Sequence, residues 1–116
     1  MSTRSQDIFK HLESQGFDVY FPGFHKGECL SPYVVVKEGT TIPVTGFSSR
    51  MRTFELLCYV PENAYSTLCE YADSVDKAMK SLEPMIMSLY QRDPDYHDTD
   101  VKAWMTTTYF RNYIKN

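Results

Sequence analysis

The residues best suited to chemistry are the acidic run Asp93, Asp95, His97, Asp98 and Asp100. Alternating carboxylates of this kind can hold a hard cation, because oxygen ligands match its charge density. A helix–loop–helix calcium loop also needs a glycine at its sixth position, for the sharp turn, and a bidentate Glu at its twelfth. Counting from Asp93, those positions hold Asp98 and Trp104. The run therefore reads as a solvated acidic hairpin loop, spanning about 91–100. His25, Glu28 and Cys29 carry ligands for a softer metal. A fixed site needs three or four converging donors, and His11, the other histidine outside the acidic run, falls in a helical stretch. No metal site is expected.

Nucleophilic catalysis needs a nucleophile beside a base that a third group orients. No local signature places one here. The glycines at 16, 23, 27, 39 and 46 form neither a GxGxxG nor a GxxxxGK[ST] run, so no phosphate cradle or cofactor loop is expected. Glu55 and Glu62 cannot be set face to face by spacing alone. The chain is expected to have no catalytic residue and no cofactor. Tyr109, Phe110 and Tyr113 could stack bases on a strand. Such a surface needs cationic neighbours, and Arg111 and Lys115 are few, so packing is the expected role.

Composition sets the frame for these readings. The 116 residues fit a single domain, 1–116. The formal charge of -3 leaves no basic footprint of the kind that binds duplex DNA; the densest basic stretch is Arg50-Met51-Arg52. The aromatic share is 15%, and nine tyrosines supply most of it, which suits both strands and interfaces. Cys29, Cys58 and Cys69 form no CxxC pair, and buried thiols in a reducing compartment are expected. No apolar run approaches the ~20 residues needed to span a bilayer, and the N-terminus lacks a signal-type apolar core. The expectation is a chain made in the cytoplasm that stays in solution.

The elements that would position these residues follow from periodicity. Ile8, Phe9 and Leu12 share one face of a helix over 5–14, which Gly16 ends. Phe17, Val19 and Phe21 alternate as a strand stopped by Pro22-Gly23, and a loop fills 24–31. Tyr33 to Lys37 is a β-branched strand. The segment 38–50 holds Pro43 and Gly46 and is expected to be a loosely structured excursion, mobile until a partner covers it. From Arg50 to Val60 both alternating sets carry large apolar residues, which predicts one face against helices and the other against another subunit. Tyr65, Leu68, Cys69, Ala72, Val75, Met79 and Leu82 predict a helix of about 18 residues, with Asn63 as N-cap and an Asp76–Lys80 pair on its solvent side. Met85 to Tyr90 is ambiguous between strand and short helix; alternation after Pro84 favours a strand, paired with the first half of a closing strand from Val101 to Ile114. The fold class is α/β of the α+β type, with a mostly antiparallel small sheet and both helices on one face.

One family shows this order of features. A short helix precedes Gly16-Phe17-Asp18-Val19-Tyr20. Pro32-Tyr33-Val34-Val35-Val36 follows, then Phe54-Glu55-Leu56-Leu57-Cys58-Tyr59-Val60-Pro61 ahead of the long helix. The acidic loop and Asp100-Val101-Lys102-Ala103-Trp104-Met105 close the chain. The chain resembles the tail-terminator and tail-completion (head-to-tail joining) proteins of long-tailed bacteriophages. The resemblance implies a structural virion protein without catalysis or cofactor, sited in the tail or neck. It would form a homo-hexameric ring that ends the tail tube and meets the head connector or stopper proteins, with genomic DNA passing through unread and no membrane involved. It implies inter-subunit or ring–ring contacts from Arg50, Arg52, Phe54, Tyr59, Trp104, Tyr109, Phe110 and Tyr113. Asp93, Asp95, Asp98 and Asp100 would face an acidic lumen or a basic partner. The alternatives are another neck ring, a small cytoplasmic enzyme or ligand-binding domain, and a single-strand nucleic-acid binder.

Overall fold

The computed structural model describes residues 5–43 and 49–115, with 49 and 113–115 described by backbone alone. Helix α1 (Ser5–Ser14) leads into a two-residue strand β1 (Val19–Tyr20), then β2 (Tyr33–Pro43) and β3 (Ser49–Pro61). A 3-10 segment (Glu62–Thr67) runs into α2 (Leu68–Met79), and a 3-10 turn (Lys80–Leu82) leaves it. The strands β4 (Met87–Arg92), β5 (Tyr96–Asp98) and β6 (Ala103–Lys115) finish the described chain. The sheet order is β1-β2-β3-β6-β4, with β5 beside β4 on the same edge of β6. Among the described residues only the short β1–β2 pair is parallel. The fold is thus α+β with a mostly antiparallel sheet, as the periodicity requires.

Both helices lie on one face, and the core sits between them and the sheet. Ile8 and Leu12 of α1 and Ala72, Val75 and Met79 of α2 meet Val34, Val36, Phe54, Leu56, Cys58 and Phe110. These strand residues alternate along β2, β3 and β6, because a pleated strand sends every second side chain to the same side. Phe54 opposes Phe110 in register, and Leu56 opposes Thr108. Gly16 closes α1 at φ 93°, where a Cβ would be strained.

Several expectations change. The strand expected over Phe17–Phe21 shrinks to Val19–Tyr20, and Phe21 beyond it stacks on Phe9 of α1 at 4.6 Å between centroids. The α-helix is 12 residues, not about 18, since 62–67 wind as 3-10 with Ala64 outside helical geometry. Asn63 caps nothing at α2, whose N-cap is Thr67 with no side-chain cap bond. Cys69 is exposed, not buried. Asp76 is half-buried and pairs with Arg92, not in the expected i,i+4 pair with Lys80. After Pro84 the buried residue is Ile86, and Met85 is exposed.

The expected excursion is the largest correction. β2 continues to Pro43 and β3 begins at Ser49, so most of it is paired strand; 44–48 lie outside the described residues. A bulge makes this continuation: Glu38 opposes Phe54, yet Thr41 opposes Arg52, one residue extra on β2. Gly39 sits in it because a Cβ there would fall 2.5 Å from the Thr53 hydroxyl. Thr53 then donates to the Thr40 carbonyl at 2.7 Å. Beyond the bulge, β2, β3 and β6 run on together as a three-stranded arm. The molecule measures 48 × 26 × 24 Å, and its 14.6 Å radius of gyration exceeds the ~13.4 Å expected for a compact chain of this length.

The closing pairing also differs. β4 meets the second half of β6, at Phe110 and Arg111, and β5 meets the first half, at Ala103 to Met105. The acidic segment is therefore partly strand, because alternation around Tyr96-His97-Asp98 lets it take the edge that β4 leaves empty.

Candidate functional site

One face of the sheet carries the helices, and the other is crossed by rows of strand side chains with no helix over them. Rows cross it in register: Tyr33, Tyr59 and Met105; then Val35, Leu57 and Thr107; then Lys37, Glu55 and Tyr109. Its lower end is aromatic. His25 stacks on Tyr33 at 3.9 Å between centroids, Tyr33 stacks on Tyr59 at 4.7 Å, and Tyr20 meets Tyr33 edge-on. Burial pushes the Tyr33 and Tyr59 hydroxyls up from the ordinary phenol range, aided by the nearby Asp98 carboxylate. The 21–32 loop covers this end, and it leaves Phe24 73% and Leu30 79% exposed. Between loop and sheet runs a groove of about 290 Å³ lined by Pro22, His25, Val35, Lys37 and Leu57.

Of the residues assigned to contacts by resemblance, the structure brings Tyr59 and Tyr109 to this face, both half-buried. Arg50 is exposed and Arg52 half-buried on the arm. Phe54 and Phe110 are a correction: they are 0% and 2% exposed, inside the core, because their parity on β3 and β6 points them under the helices. Trp104 shares that parity but sits beyond α2, between Tyr65 at 4.5 Å and His97 at 4.9 Å. Tyr113 lies opposite Met51 in β6, and its side chain is outside the described residues.

The acidic residues are knitted to the sheet end. Tyr109 donates to Asp93 at 2.7 Å, which drives the Tyr109 hydroxyl up to about 12. Tyr65 donates to Asp95 at 2.6 Å, and the Asp100 amide donates to Asp98 at 3.0 Å in an Asx turn. His97 contacts Glu62 at 3.0 Å. No three His, Cys, Asp or Glu side chains converge on a metal position among the described residues.

Sequence reading missed a second feature. Arg92 reaches from β4 to α2 and pairs with Asp73 at 3.0 Å and with Asp76. Burial holds the Asp76 carboxyl above its usual range, and Arg92 opposes the rise. The cleft beside it, about 400 Å³, is lined by Ser88, Tyr90, Gln91 and Thr108 as well. Arg92 lies 16 residues from Asp76, so no local spacing signals the pair. Its chemistry is that of a clasp, since both carboxylates occupy the guanidinium.

A serine and a histidine do meet: His11 Nε2 lies 2.8 Å from Ser81 Oγ. The same Nε2 lies 2.8 Å from the Ala78 carbonyl, which can only accept, so Nε2 carries a proton there. Ser81 in turn donates to that carbonyl. The histidine is thus no base for this serine, and the trio fastens α1 to the end of α2. No protein-family model matches the chain, and no curated protein matches it either.

Proposed function

We propose that this chain is a structural subunit of a homo-oligomeric ring of the tail-terminator kind: it would end a phage tail tube and offer the joining surface to the head-side connector. The observation that carries this reading is the sheet's uncovered face, continuous with an arm that leaves the body. Val35 and Leu57 are half-buried there with no helix over them. A domain that spends two helices on one face and none on the other exposes apolar strand surface that a neighbour can cover. Closed rings bury such side surfaces on every subunit. The polar connections and the Ser–His geometry support scaffolding over catalysis.

Negative-stain imaging of the purified chain at high concentration, alone and with tail tubes, tests the proposal. Rings or capped tubes are expected. Single particles at every micromolar concentration, with tubes left uncapped, would end it.

A further inference from the structure

Residues 93–100 lie along the edge of β6 opposite β3, and none of them is buried. β5 pairs with Ala103 to Met105, and the Asp93 amide donates to the Thr107 carbonyl at 3.0 Å. Thr106 Oγ1 donates to the Asp93 carbonyl at 2.8 Å. The described side-chain ties are polar as well: Tyr109 to Asp93, Tyr65 to Asp95, and His97 with Glu62. The His97 ring also rests on Trp104. The flanks are held more firmly. Arg92 is clasped to Asp73 and Asp76 on α2. Lys102 pairs with Glu28 at 3.1 Å, and its carbonyl accepts from the Glu62 amide at 3.1 Å. The nearest buried residues along the chain are Ile86 before the segment and Ala103 after it.

An edge segment tied mainly by polar bonds loses little on lifting, since water replaces each bond while the backbone regains its freedom. Segments of that kind open below the free energy of global unfolding. Asp93, Asp95, Asp98 and Asp100 also repel one another within a short stretch, and lifting spreads them apart. We propose that residues 93–100 are a strap that opens as one unit between fixed posts at Arg92 and Lys102, while the helix-covered body stays folded. Opening uncovers the β6 backbone from Ala103 to Thr107, together with the Trp104 ring face that meets His97. A sheet edge in that state can accept a further strand. The strap thus controls access to an edge that the closed structure hides, and the inference stands apart from the ring reading.

Native-state hydrogen exchange of the full chain, followed amide by amide in low urea, tests it. In the wild type the protected amides of 93–98 should show protection lower by on the order of a hundredfold than those of 56–59, with almost no dependence on urea. Val75→Ala should lower protection at 56–59 by on the order of tenfold and leave 93–98 within about twofold, because the open state still contains the folded body. Tyr109→Phe cuts the tie at Asp93. It should lower protection by on the order of fivefold at 96–98 as well as at Asp93. A urea slope at 93–98 equal to that at 56–59, or an equal fall in Val75→Ala, would mean that the strap lifts only as the whole chain unfolds, and would overturn the inference. An effect of Tyr109→Phe confined to Asp93 would overturn it too. The urea series on the wild type decides the first point even where a variant fails to fold.

Discussion

The two faces of β3 are built from similar residues and meet different fates. Phe54, Leu56, Cys58 and Val60 lie fully buried, the first three packed against α1 and α2. Glu55, Leu57 and Tyr59, one residue out of phase, lie half-buried on a face with no helix. Parity decides which set joins the core, and a one-residue slip would exchange them. The comparison teaches that hydrophobicity along this strand is two-sided, while the chain's own layers cover one side. The arm extends the contrast, since among the described residues none past the Glu38–Thr41 bulge belongs to the core cluster under the helices.

The largest break in that contrast is at Phe54. Phe54→Ala should destabilise the monomer by about 3–5 kcal/mol, because the transfer loss adds to the cavity left behind. Leu57→Ala, three residues along and facing out, should cost only about 1 kcal/mol in the same urea titration, since the side chain is only half removed from water. Equal losses at the two positions would show that the open face is as closed as the core.

The next largest effect concerns the edge of the covered layer. Arg92→Ala removes the clasp between β4 and α2 and strands a half-buried carboxylate at Asp76. Solvent reaches the pair, with side chains 29% and 35% exposed, so the expected loss is about 1–2 kcal/mol rather than that of a dry ion pair. Asp76→Asn in the Arg92→Ala background should recover part of it, as the uncompensated charge is then gone. A loss that the second change deepens would refute the clasp.

Tyr109 tests the open face by pH. Its hydroxyl titrates near 12 in the folded chain against about 10 unfolded, held up first by the bond to Asp93. A raised folded value means the native state keeps the proton. The contribution is therefore whole below pH ~10 and fades as pH rises through about 12. Tyr109→Phe should cost about 1 kcal/mol at neutral pH, and the difference from wild type should vanish above pH 12. A constant difference across that window would place the effect in packing.

The smallest effects belong to the arm. Ile42→Ser should change monomer stability by less than about 0.5 kcal/mol. Native hydrogen exchange should show the amides of 40–43 and 50–52 opening at far lower free energy than those of 56–59, which lie under α2. Core-like protection at Ile42 would mean the arm is covered in the monomer.

Much of this architecture was readable from residue order. The α1 stripe, the α2 stripe at Leu68, Ala72, Val75 and Met79, and the alternation from Phe54 to Val60 follow from periodicity, which is a local property of the backbone. Other features had no local signal. The bulge at Gly39–Thr40 depends on Thr53 across the ladder, and the clasp at Arg92 depends on which strand lands beside α2. Tyr20, His25 and Tyr33 come from three separate segments, so their stack appears only after the loop folds over the sheet.

The sequence by itself determined which residues alternate, where helices wind and how many apolar faces the strands possess, because side-chain periods of 2 and 3.6 are written in neighbouring residues. Only the tertiary structure decided which face received the helices and how far the arm extends from the body. Those outcomes depend on register and strand order, which join residues tens of positions apart.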